Sequence, residues 1–326
     1  MASLEGIKDD DLQRLPRASE QRIPRRVDGW RAHLAEAGAS PPVHRAVDQY
    51  AELTDRSRRR VRELLLEYQG APQARTAIVF LWGGARGKNP SLAVIGNPRV
   101  RSGSGAPWLR AADDHRDAAH TFLWNPRIAS DGIEQDSLVA PRAAFEKLWS
   151  HPNLSQGLLP GCGTAFGTKL LYWAARCELG FDVPPEHPIP LIYDLRVFES
   201  LRALGLAYPS DEGHPTAFTN PQRKMPFATY EAYCRIAYEW SNRLNERVAN
   251  INHEGLDAFV PDDVEVMLFA VNGVGLRTSQ CTDEPATEGS DGGGPEIDEP
   301  QVDPSSTGDL DLAAAARVLN ALAAAA

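Results

Sequence analysis

Apolar residues recur at helical spacing along most of the chain. Val43, Ala46, Val47, Tyr50 and Leu53, continued by Val61, Leu64, Leu65 and Tyr68, form one stripe, so residues 43–69 read as a single long helix. A shorter helix is expected over Asp28–Ala37, with Asp28 as its cap. Thr76–Trp82 is a continuous apolar run, and periodicity cannot decide between a strand and a buried helical turn. Short helices are predicted over Trp108–Phe122 and from Pro141 to Trp149, the second with Phe145, Leu148 and Trp149 on one face. A long helix around Tyr230–Val248 would bury Tyr233, Ile236, Ala237, Trp240 and Leu244. Asp262 and Glu265 have the spacing of a capping box ahead of a last core helix through Met267, Leu268 and Phe269. The picture is mainly α, with little strand and no internal repeat.

After Gly275 the pattern stops. Residues 278–308 are acidic, rich in Gly, Pro and Ser, and nearly free of apolar side chains, so disorder is expected because burial cannot offset the entropy of ordering. The Ala-rich segment Asp309–Ala326 then reads as a helix that docks elsewhere. The net charge of −10 sits largely here: from Arg277 onward there are ten acidic residues against two basic ones. The remainder is near neutral, so the acidic total does not exclude nucleic acid, whose binding depends on local patches. The run Arg56-Ser57-Arg58-Arg59-Arg60-Val61-Arg62 reads first as a solvated helix face and second as a phosphate-facing surface.

The 326 residues suffice for a substantial core. No window approaches a membrane span, and MASLEGIKDDDLQ lacks the apolar region of a secretory signal. A cytoplasmic location without membrane association is expected. Cys162, Cys177, Cys234 and Cys281 are widely spaced, which points to reduced thiols rather than a zinc or iron–sulfur site. No cofactor and no metal are expected. Gly83-Gly84-Ala85-Arg86-Gly87-Lys88-Asn89 resembles a phosphate-binding loop only superficially. Trp82 stands where the first glycine belongs, and Asn89 where the hydroxyl belongs.

The chemistry concentrates further on. Leu158-Leu159-Pro160-Gly161-Cys162-Gly163 precedes an amphipathic helix. Such a turn can present backbone N–H groups to a phosphate, or can simply turn the chain. If Thr164–Cys177 is helical, Gly167, Leu170, Leu171 and Ala174 face the core. Lys169, Tyr172, Trp173 and Arg176 then share another face. That face combines an amine, two aromatics and a guanidinium, suited to a nucleophile, base stacking and a phosphate contact. Asp194 stands at the predicted N-cap of a helix whose buried face is Val197, Phe198, Leu201 and Leu204. A capping carboxylate has a fixed orientation and can stabilise a neighbouring cation.

Pro160-Gly161-Cys162-Gly163, Thr168-Lys169 and Ile192-Tyr193-Asp194-Leu195-Arg196 together resemble the helix-hairpin-helix DNA glycosylases, in particular the 8-oxoguanine glycosylase branch. Phe166-Gly167-Thr168-Lys169-Leu170-Leu171-Tyr172-Trp173-Ala174 also looks like a divergent bacterial branch of that fold, some of whose members occur in antiphage gene clusters. The resemblance covers roughly residues 140–270. It implies a helical glycosylase-like fold acting on double-stranded DNA with an extruded nucleotide. By the same resemblance Lys169 and Asp194 are catalytic, and Gly161, Gly163, Thr168 and Arg196 hold the DNA backbone. Tyr172 and Trp173 would stack on bases. Lys169 would attack C1′ to give a Schiff base, making the protein a glycosylase and lyase of DNA repair or antiphage defence. Three departures stand out, one being the spacing of 25 residues from Lys169 to Asp194, which is longer than usual in the family. Four residues, Thr164–Gly167, separate the hairpin from Thr168-Lys169 where the family has none, and the β-rich N-terminal domain of the eukaryotic-type enzymes is not evident.

The expected organisation is a charged N-terminal arm (1–42), a helical glycosylase-like domain (43–276), an acidic disordered linker (277–308) and an Ala-rich C-terminal helix (309–326). The alternative is a non-catalytic helix-hairpin-helix DNA-binding module or accessory subunit. A protein partner for the acidic tail and terminal helix is a third reading.

Overall fold

The computed structural model describes residues 7–21, 30–37, 39–83, 124, 145, 164–181, 184–209, 214–221, 225–251, 256–276 and 311–325. The hairpin at Pro160–Gly163, most of 84–163, the capping position Asp28 and the acidic stretch 277–308 lie outside the described residues. Its helices are α1 (Asp9–Gln13), α2 (Trp30–Ala37), α3 (Pro41–Glu52), α4 (Arg58–Glu67), α5 (Pro72–Trp82), α6 (Thr164–Leu179), α7 (Leu195–Ala203), α8 (Phe227–Asn250), α9 (Pro261–Val271) and α10 (Leu312–Ala324). A small antiparallel hairpin, β1 (Ala207–Pro209) with β2 (Pro215–Ala217), follows α7 and pairs Tyr208 with Thr216. The mainly helical expectation holds.

Two local readings change. The long helix expected over 43–69 is broken in two. The Asp55 carboxylate accepts from the Ser57 amide (2.9 Å) and hydroxyl (3.0 Å), and the Ser57 hydroxyl accepts from the Arg60 N–H at 3.3 Å to start α4. These local bonds compete with helix continuation. The undecided run Thr76–Trp82 is helical. Every residue from Ala74 to Trp82 is buried, so a helix enclosed all round shows no polar face to report its period.

Helix α9 lies against α7, α8 and α10, while α6 lies against α4 and α5. The first turn of α9 joins the two groups. Its N-cap, Val260, has no side-chain acceptor, and the Asp263 carboxylate reaches back to the Val260 N–H at 3.0 Å. The capping-box reading of Asp262 and Glu265 is thus replaced. Both carboxylates point away into the interior. Arg176 of α6 grips Asp262 through both Nε (2.8 Å) and Nη2. Arg58 of α4 meets Glu265 at 2.6 Å, with Gln21 accepting from its Nε at 2.8 Å. Arg17 meets Asp263 at 2.9 Å, and the Ala18 N–H donates to the same carboxylate at 2.7 Å. Arg58, Arg176 and all three acids are buried.

The N-terminal segment is integrated with this core. Ile7, Leu12, Leu15, Trp30 and Leu34 belong to the same buried cluster as the residues of α3 to α9. Helix α10 begins at Asp311, whose carboxylate accepts from the Ala314 N–H at 2.9 Å. It buries Ala315, Val318, Leu319 and Leu322 against α9 and α1, and Arg317 pairs with Asp11 at 2.5 Å.

Burial pushes the Glu265 carboxyl up to about 7 against the pull of Arg58. Burial also opposes ionisation of Asp262, but the Arg176 guanidinium overcomes it and holds that carboxyl below its ordinary value. Asp262→Ala would leave Arg176 buried without its counter-charge and is expected to cost about 3–5 kcal/mol of stability. Urea unfolding checks this, and a loss within experimental error contradicts it. Because the folded-state value of Glu265 is raised above its ordinary 4.5, its contribution to stability is full below that value and is lost as pH rises through about 7. Glu265→Gln should flatten the stability slope between about pH 5 and pH 8. An unaltered slope contradicts the assignment.

Candidate functional site

The site begins with an extended strand-like segment that has no ladder partner among the described residues. Leu191, Ile192 and Tyr193 run through the core just before α7, all buried. Buried backbone polar groups need partners, and here side chains supply them. The Tyr230 hydroxyl donates to the Leu191 carbonyl at 2.7 Å, and the Tyr233 hydroxyl donates to the Ile192 carbonyl at 3.0 Å. The Tyr193 N–H donates to the Thr168 hydroxyl at 3.1 Å. Tyr193 is held at its other end, its hydroxyl donating to the Thr219 carbonyl at 2.9 Å. Burial raises the Tyr230 and Tyr233 hydroxyls well above their ordinary value, so both remain donors at neutral pH.

Asp194 follows directly and caps α7 as predicted, its Oδ1 accepting from the Val197 N–H at 3.2 Å. It is 7% exposed. Its carboxylate orientation is therefore set from both sides, by the capping bond and by the anchored segment before it.

Lys169 lies in the second turn of α6 and is half-buried. Its Nζ sits 4.8 Å over the Phe166 ring, one turn earlier, and that ring stacks on Phe80 of α5 at 5.0 Å and 9°. Its aliphatic stem crosses the end of α5 at Gly83. Among the described residues no carboxylate forms an ion pair with this amine.

Thr168 brings the two segments together. Its hydroxyl donates to the Thr164 carbonyl at 3.0 Å and accepts from Tyr193. The residues immediately before Lys169 and Asp194 are thus in direct contact, although they stand 25 positions apart in sequence.

The remaining candidates fare differently. Thr168 is fully buried and its hydroxyl is committed internally, so the expected DNA-backbone contact is corrected to a structural tie. Tyr172 and Trp173 are also fully buried, which corrects their reading as a base-stacking platform. The Arg58 guanidinium lies 4.8 Å over the Tyr172 ring, and Trp173 packs edge-on to Trp82 at 5.1 Å. The physical cause is that α6 is enclosed by α4, α5 and the first turn of α9, so its second face points inward as well. The same enclosure turns Arg176 from a phosphate contact into the partner of Asp262. The basic run is likewise divided: Arg58 is in the core, and Arg62 caps α6 by donating to the Arg176 (2.6 Å) and Cys177 (2.9 Å) carbonyls. Arg60 is exposed and pairs with Glu63 at 2.5 Å. Arg196 is half-buried with its guanidinium 5.0 Å over Phe269. Gly161 and Gly163 lie outside the described residues.

Tyr230 and Tyr233 as supports for the Asp194 segment were not foreseen. Their signal is two hydroxyl-bearing aromatics at i, i+3 on an otherwise apolar helix face. Among the described residues no cluster of three or more His, Cys, Asp or Glu side chains is placed to hold a metal ion, and no helix is long and apolar enough to cross a membrane.

Thr168→Val keeps the shape but leaves the Tyr193 N–H without an acceptor, at an expected cost of about 1–3 kcal/mol. Amide exchange at Tyr193 should accelerate with it. Unchanged stability and exchange would remove Thr168 as the tie.

The family model described as "Putative 8-oxoguanine DNA glycosylase OGG-like protein" matches residues 16–269, more than half of the chain. No curated protein and no solved structure matches it.

Proposed function

Because the chain belongs to the OGG-like 8-oxoguanine DNA glycosylase family, we propose that it removes a damaged or modified base from DNA with Lys169 as nucleophile and Asp194 as its electrostatic partner. The observation that carries this reading is the Thr168–Tyr193 hydrogen bond, which joins the segment bearing an amine that no carboxylate among the described residues pairs with to the segment bearing an oriented carboxylate.

The steps follow from these two groups. The target nucleotide leaves the stack so that its sugar becomes reachable. The Lys169 amine bonds to C1′ through its nitrogen lone pair as the glycosidic bond breaks, and the base departs with that bond's electron pair and takes up a proton. Asp194 offsets the positive charge developing on the sugar. Loss of a proton from Nζ and opening of the sugar ring give an imine. Removal of a C2′ proton then expels the 3′ phosphate, and water releases the amine from the imine. Gly161 and Gly163 remain the proposed backbone clamp, with Arg196 as a further proposed backbone contact. DNA repair is the setting this chemistry serves, and antiphage defence is the narrower setting.

The test is borohydride capture on duplexes carrying an 8-oxoguanine or an abasic site. Wild-type protein should form a covalent adduct, and Lys169→Ala should form none while still binding the duplex. Capture that persists in Lys169→Ala overturns the nucleophile. Binding by the wild type without any capture favours a non-catalytic DNA-binding module instead. Asp194→Asn retains a capping oxygen and should slow base release by about 100-fold or more with duplex affinity unchanged.

A further inference from the structure

Gly83 ends α5 where the stem of Lys169 passes. A Cβ placed on Gly83 would lie 2.9 Å from Lys169 Cδ, 3.0 Å from Phe166 Cε1 and 3.2 Å from the Val79 carbonyl oxygen. These approaches are closer than packed atoms accept, so a side chain at 83 forces a neighbour to move. The backbone at Gly83 is right-handed, with φ −68° and ψ −1°, a conformation open to any residue. The glycine is therefore not needed for its backbone freedom. What it supplies is room.

The three neighbours differ in how readily they yield. The Val79 carbonyl is fixed by its bond from the Gly83 N–H at 2.8 Å. The Phe166 ring is held flat against Phe80. The four-carbon stem of Lys169 is flexible and yields most readily, at the cost of its own contact with the Phe166 ring.

We infer that Gly83 is a positioning residue for the Lys169 amine: its missing side chain forms the slot, walled by Phe166, that sets where Nζ projects. The inference rests on the reading of Lys169 as the nucleophile. A reacting atom displaced by about 1 Å can lose about 100-fold in rate, so the slot would act on the chemical step and not on duplex affinity.

Gly83→Ala tests it by two independent readouts. In protein carrying isotope-labelled methyl groups on its five lysines, the Lys169 resonance is assigned by its absence in Lys169→Arg. That resonance lies in the ring current of Phe166 and should shift in Gly83→Ala while those of the other lysines stay. The single-turnover rate of borohydride capture on an abasic duplex should fall by about 100-fold, with duplex affinity and melting temperature near the wild type. Adding Phe166→Leu to Gly83→Ala widens the slot and should recover most of the rate, which also guards against a single variant that folds poorly. A resonance that does not move, a capture rate that does not fall, or a double variant without recovery overturns the inference. Wild-type protein that never captures DNA sinks the nucleophile reading instead, and the resonance still decides whether Gly83 sets the position of the amine.

Discussion

Three carboxylates in one helical turn, each taken out of water and each paired with an arginine from a different part of the chain, hold this molecule in register. Asp262, Asp263 and Glu265 meet Arg176, Arg17 and Arg58. Removing any single partner strands a charge in a region of low dielectric, which is far costlier than the net gain of the intact pair. The cluster therefore acts less as a source of net stability than as a lock on arrangement. It admits one placement of α4, α6 and the N-terminal segment around α9.

That lock bears directly on the site. Helix α6 is fastened near its C-terminal end by Arg176 to Asp262, and by Arg62 to its last carbonyls. Near its N-terminal end Thr168 fastens it to Tyr193. Lys169 projects from the helix between these fixed points, beside the half-buried ring of Phe166. Rigid support of this kind is what a reaction between a side chain and one sugar carbon requires, because misplacement is penalised steeply. The Asp194 carboxylate has the same quality of support, from its own capping bond and from the tyrosine hydroxyls behind it.

Local signals in the sequence were sufficient for the features that depend on local physics. Asp194 as a cap, α6 from Thr164, the long α8 and the C-terminal α10 all follow from capping residues and helical spacing. Features set by distant partners were not legible. Arg58 sits in a run that looks solvated, and nothing near it announces Glu265. Arg176 and Asp262 are 86 positions apart. Tyr172 and Trp173 looked like an outward face because an amphipathic reading assumes one side in water, and α6 has almost none. The break between α3 and α4 could have been found, since Asp55 and Ser57 are both strong cap and turn formers. The apolar spacing on either side concealed it.

The catalytic role of Lys169 depends on which amine bonds to the sugar. Digestion of the borohydride-captured complex with trypsin, followed by mass spectrometry, identifies that residue directly. The expected nucleotide remnant is on Lys169, with cleavage blocked there so that Leu148–Arg176 is released as one modified peptide. A remnant on Lys8, Lys88, Lys147, Lys224 or the amino terminus would contradict it.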